Sequence, residues 1–244
     1  MGKLDGVRLK IAWGKRHMGR LKAALGEFES IPPYTPVFDY DLQTGEQIIK
    51  VADTPLQPPP FPGIGDVLYN FRSALDHLAW QLVDHAGIKE PGRPTAFPIL
   101  DDPKKWLSKR TKDSLDGMTE PMIDLVKAHQ PCFGSYAYRN HHLWGLEEYG
   151  NIDKHRFLLT TVPSFGGILW EPEGPSIFVH EGPVEKDTIL ARFPKGKEKR
   201  TVRPVLEVAF GEPPAAGESV YRFLFSVHLT VVALVSNFEQ AFFQ

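Results

Sequence analysis

Cysteine is nearly absent: Cys132 is the only one among 244 residues. A single thiol cannot close an intramolecular disulfide, so a reducing, cytoplasmic setting is expected. It also excludes a zinc site built on paired cysteines. Neither sign of charge dominates. Lys and Arg number 28 against 30 Asp and Glu, a formal net charge of −2, so no global basic field gathers nucleic acid, although a local basic groove is not excluded. No apolar run is uninterrupted over a membrane's width. The nearest, Tyr221 to Phe243, contains Arg222, His228, Asn237, Glu239 and Gln240. It reads as a buried core helix, and no membrane partner is expected. The start, MGKLDGVRLK, has no apolar signal core. The familiar phosphate, nucleophile and zinc templates are missing too: no GxxxxGK[ST], no GxSxG, no HExxH, and no GxGxxG in a suitable setting. No cofactor and no metal are therefore expected.

What is present is a set of helical periodicities. Val7, Ile11, Gly14, Met18, Leu21, Leu25 and Phe28 recur at spacings of four and three, predicting a helix from about Lys3 to Glu29. That seam can be satisfied within one chain or in a homodimer. Its other face carries Lys10, Lys15, Arg16, Arg20 and Lys22, either a solvated face or a phosphate contact. Val37–Asp41 and Gln47–Ala52 flank a Gln-Thr-Gly-Glu turn and read as a β-hairpin. A proline-rich connector, Thr54 to Pro62, follows. The second helix spans Asp66 to His85, with Asp66 as its expected N-cap and Gly87 ending it. Phe97-Pro-Ile is expected to tuck onto the helices, a short helix to begin near Trp106, and another to cover Glu120–Gln130.

The central helix is expected over Trp144–Leu159, ended by Pro163. From Gly166 the period changes to two. Ile168–Trp170, Ser176–His180, Thr188–Phe193 and Val202–Phe210 read as strands, with Lys195–Arg200 as an exposed hairpin tip. The last helix, Glu218–Phe242, is apolar nearly all round and is expected at the centre of a bundle. The fold class is α+β: four or five bundled helices, a β-hairpin insert, and an antiparallel meander before the last helix. Residues 1–244 read as one domain, with helical core 1–30, 64–162 and 218–244 and β inserts 34–53 and 166–211.

Two polar inserts interrupt otherwise apolar helices: Arg72-Ser-Ala-Leu-Asp76-His77, and Asn151-Ile-Asp153-Lys154-His155-Arg156. Asn151 and His155 share a helical face with Trp144. Polar groups in mostly buried helices need partners, so the two clusters are expected to face each other, partly buried. Two chemistries fit. A histidine oriented by Asp76 would act as a general base while Arg72, Lys154 or Arg156 steadies an anion. Alternatively Arg72, Asp76, His77, Asn151, Lys154 and His155 form a structural network, supported by Asp153, Arg156 and Trp144.

The Arg72-x4-His77 spacing within a helical bundle resembles the motif of the HEPN superfamily. More widely, FRSALDHLAWQL followed by LWGLEEYGNIDKHRFLL resembles a group of bacterial and phage proteins without an assigned activity. The HEPN resemblance implies a metal-independent ribonuclease, often dimeric, acting on RNA. In that reading His77 or His155 activates a ribose hydroxyl while Arg72 and Lys154 hold the phosphate, with Asn151 beside them. The chain departs from the motif in having Ser73 after the arginine. Trp144 also stands where Arg139-Asn140 would call for a histidine.

Overall fold

The structure, a computed structural model, describes residues 2–31, 35–134, 141–155, 159–170, 178–180, 182–194 and 202–244; for 167–170, 178–179 and 202–206 it describes the backbone alone. It is mixed α+β. The helices are α1 (Asp5–Glu29), α2 (Gly63–Ala86), α3 (Lys109–Leu115), α4 (Glu120–Ala128), α5 (His142–His155) and α6 (Val220–Phe242). The strands are β1 (Pro36–Tyr40), β2 (Gln47–Val51), β3 (Thr161–Trp170), β4 (Phe178–Val179), β5 (Gly182–Pro183), β6 (Ile189–Phe193) and β7 (Val202–Phe210). The chain divides into two compact units. One comprises Met1–Arg20, Pro62–Leu158 and Arg222–Gln244; the other comprises Leu21–Phe61 and Leu159–Tyr221.

The first unit is helical. The apolar stripe of α2 is buried along its length, from Ile64 through Phe71, Leu75 and Leu78 to Leu82 and Val83. The helix begins one turn earlier than its sequence suggests: Pro62 occupies the N-cap and Asp66 lies in the first turn. Gly87 ends it in the left-handed region (φ 66°), its N–H bonding Val83 C=O. Phe71 meets two helices at once. It stacks on His228 of α6 at 5.4 Å, and its ring occupies the place where a side chain on Gly14 of α1 would begin. Phe223 of α6 meets Tyr149 of α5 edge to face at 5.5 Å. Gly145 allows this approach, since a Cβ there would lie 2.3 Å from the Phe223 ring. The Phe97 segment tucks in as expected, with Phe97 buried against Phe238.

The second unit holds both sheets. β1–β2–β6–β4 form one antiparallel sheet and β5–β3–β7 the other. Their side chains meet in a core of Ile49, Val51, Phe165, Val184, Leu190 and Phe193. The hairpin β1–β2 is as the alternation predicts. Arg192 of β6 clamps its turn, with Nη1 at 2.7 Å from Asp41 and 3.3 Å from Glu46. The expected meander is corrected. β6 pairs with β2 from the first insert as well as with β4, and β3 pairs with β7 as well as with β5, so the strands divide between two sheets. Pro163 does not end a helix either: it lies inside β3 opposite Val208, and its carbonyl accepts from Val184 N–H. The predicted tip Lys195–Arg200 lies outside the described residues.

α6 corrects a further expectation. It is long and apolar enough to cross a membrane, yet only 39 % of its most apolar stretch is buried. It is not the enclosed centre of a bundle. The seam of α1 is satisfied within the chain, with Val7, Met18, Leu21 and Leu25 buried.

Two glycines of α1, Gly19 and Gly26, are exposed and would give a Cβ open space. Gly19→Ala and Gly26→Ala are each expected to stabilise the protein by about 0.5–1 kcal/mol through helix propensity alone, read as a raised urea midpoint with unchanged slope.

Candidate functional site

Arg72 organises the contact between α2 and α5. Its Nε lies 3.0 Å from Glu147 Oε2, its Nη1 3.0 Å from Asp76 Oδ1, and its Nη2 donates to the Phe97 carbonyl at 2.8 Å. Phe97 N–H in turn donates to Asp76 Oδ1 at 3.1 Å. The local reason is spacing. Arg72 and Asp76 are one helical turn apart and share a face. The 97–101 segment is brought to them by the buried Gln130, which accepts from Leu100 N–H and donates to the carbonyls of Pro98 and Val126. The Arg72 side chain keeps 16 % exposure. One cation thus faces two carboxylates. Burial pushes the Asp76 carboxyl above its ordinary range, against the pull of Arg72 and of Phe97 N–H, and the Glu147 charge adds to the rise.

Beside this network opens a cleft of about 330 Å³. Three cations (Arg72, Lys105, Arg110) and three carboxylates (Asp101, Glu147, Glu148) line it, and Trp144 and Asn151 complete a wall from α5. Two of its buried atoms, Arg72 Nη1 and Asp101 Oδ1, are each held in an ion pair. Arg72 Nη1 has only the Asp76 contact, and Asp101 Oδ1 lies 2.5 Å from Lys105 Nζ.

The sequence-predicted residues divide. Arg72, Trp144 and Asn151 line the cleft, and Asp76 supports it. His77 does not come to it. Five residues beyond Arg72 is about 140° around a helix, and His77 is exposed, lining a separate hollow with Asp76, Trp80 and Thr95. The expected burial of Asn151, Lys154 and His155 is corrected: all three are exposed, because only Ile152 of that turn faces the core. Among the described residues neither His77 nor His155 bonds Asp76 or Asn151. Lys154 acts only through its charge, lowering the Asp76 and Asp153 carboxyls against the stronger effect of burial. Asp153 sits against Gly65, where a Cβ would fall 2.2 Å from its Oδ2. Arg156 lies outside the described residues. Glu147, which flanks the Asn151 face in sequence, is the α5 residue that pairs with Arg72. Asp101, Lys105 and Arg110 carry no periodic signal.

Histidines elsewhere in the helical unit titrate abnormally. Burial lowers the imidazole pKa of His129, His141 and His228, with Lys15 adding at His228. A folded-state pKa below the unfolded value of about 6.5 means that the unfolded chain binds the proton first. Stability is therefore expected to hold above that pH and to fall as pH drops below it, by up to about 1.4 kcal/mol per pH unit per histidine. Urea midpoints between neutral and mildly acidic pH would show the decline, and His228→Leu should flatten it.

Among the described residues no group of three or more His, Cys, Asp and Glu is arranged to hold a metal ion. No family model matches the chain, and neither a curated protein nor a solved structure matches it, so the site stands on its geometry.

Proposed function

We propose that the chain is a binding protein for a compact zwitterion, held in the Arg72 cleft. One observation carries the reading: a buried cationic atom, Arg72 Nη1, and a buried anionic one, Asp101 Oδ1, line the same cleft, each held by a single ion pair within the chain. Buried polar groups are normally satisfied, and charge-assisted bonds are the strong ones. A ligand carrying a carboxylate and an ammonium group offers each a second partner of opposite charge. The balance of three cations and three carboxylates suits a molecule without net charge better than a polyanion such as RNA. About 330 Å³ is at the small end of ligand sites, and Trp144 offers an aromatic wall. On this reading α1, α2, α4, α5 and α6 are the bundle that carries the cleft.

Titration calorimetry with free amino acids as probes tests the proposal. Saturable binding is expected for at least one, weakened about tenfold or more in Asp101→Asn by loss of a charge-assisted bond. Binding of none of them would sink it. RNA cleavage by wild type in EDTA, lost in a folded His77→Ala or His155→Ala variant, would instead favour the HEPN-like ribonuclease implied by Arg72-x4-His77.

A further inference from the structure

The outer surface made by α1 and α6 is apolar and predominantly basic, and nothing in the cleft reading uses it. The two helices meet along one row. Arg8 pairs with Glu239, and Lys15 lies close enough to His228 to lower its pKa together with burial. On both helices the core lies to one side of that row and solvent to the other. On the solvent side α1 presents Leu9 (55 % exposed) and Trp13 (40 %), and α6 presents Phe225 (45 %) and Leu229 (51 %), with Val232 behind them. These residues recur at three- and four-residue spacings, so they form a stripe on each helix rather than scattered exposures. Leu9, Ala12, Trp13 and Arg16 line a shallow groove, and the Arg16 guanidinium lies over the Trp13 ring at 4.9 Å.

Positive charge predominates around these stripes. From Arg8 to Arg20 the sequence holds Arg8, Lys10, Lys15, Arg16 and Arg20 and no acid; from Arg222 to Phe238 it holds Arg222 and no acid. Arg8 is paired with Asp5 and Glu239, and Lys10, Lys15, Arg16 and Arg20 leave the patch with an excess of positive charge in a chain whose net charge is −2. A second copy of this face would meet it with the same charge, which disfavours a symmetric dimer through it. The complementary partner is anionic and apolar together. We propose that the α1–α6 face docks on an anionic lipid bilayer. The apolar stripes and Trp13 enter the headgroup boundary, and the long Lys and Arg side chains reach the lipid phosphates from the flanks. α6 lies on the bilayer rather than across it, because its other face is held by Phe71, Tyr149 and Phe97.

Co-sedimentation of the whole chain with vesicles of phosphatidylcholine alone, or mixed with phosphatidylglycerol, tests this. Wild type is expected to pellet with the mixed vesicles only, and less as salt rises. Lys15→Glu with Arg16→Glu should lower partitioning at least about 25-fold, from about fivefold per cation removed. Trp13→Glu with Leu229→Glu should abolish it. Circular dichroism checks the fold of each variant, and Leu42→Glu, at an exposed leucine of the other unit, serves as control. Failure of wild type to pellet with the mixed vesicles overturns the proposal. So does undiminished pelleting of both folded double variants. A wild-type dimer in solution that these substitutions dissociate, without vesicle binding, assigns the face to a second copy. Pelleting lost only in the charge variant reduces the contact to electrostatic adsorption and overturns insertion of the stripes.

Discussion

Arg72→Ala is expected to cost about 3–5 kcal/mol, the range for removing one partner of a buried ion cluster. For a chain of this length that lowers the melting temperature by roughly 6–20 °C. The loss comes from what the arginine leaves behind. Asp76 and Glu147 would lose the cation that bonds them both, and the Phe97 carbonyl would lose its donor. Arg72→Lys should recover little, since one ammonium cannot serve three partners spread around a planar fork. Adding Asp76→Asn and Glu147→Gln to Arg72→Ala should recover much of it, because the stranded charge is then gone. Urea denaturation of this set measures the coupling. A loss below about 1 kcal/mol for Arg72→Ala would mean that the pairs behave as solvated surface pairs, and the network reading would fail.

Phe71→Ala is expected to cost about 3–5 kcal/mol, a fully buried ring lost from a junction of α1, α2 and α6. Its neighbour Gly14 makes the test specific. A Cβ at Gly14 would lie 2.5 Å from Phe71 Cε1, so Gly14→Ala should destabilise by about 1–3 kcal/mol despite its gain in helix propensity. In a Phe71→Leu background, where the ring atoms are absent, that cost should shrink or reverse. Additive costs in the two backgrounds would show that the close approach is not what excludes a side chain from position 14. The contrast with Gly19→Ala is the point: one helix, two glycines, opposite signs, decided by what stands opposite.

The sequence was strong on local matters and weak on partnership. α1, α2, α4 and the β1–β2 hairpin are legible because amphipathic period and turn chemistry are local properties. The grouping of Arg72, Asp76, Trp144 and Asn151 was legible for the same reason: spacings of one turn and of two turns put each pair on one face, and the two apolar helices had to meet. His77 and His155 were drawn in by residue type, although helical geometry already turns His77 well away from Arg72. Pro163 shows local chemistry overruled, a helix-stopping residue absorbed into β3 because pairing with β7 outweighs one missing N–H. Which strand β2 would take, which side of α6 would stay bare, and which loop would bring Asp101 to Arg72 depend on chain segments far apart in sequence. Burial and charge are settled only when those segments meet, so tertiary structure alone decided them, while composition and period had already determined the helices, the hairpin and the α+β class.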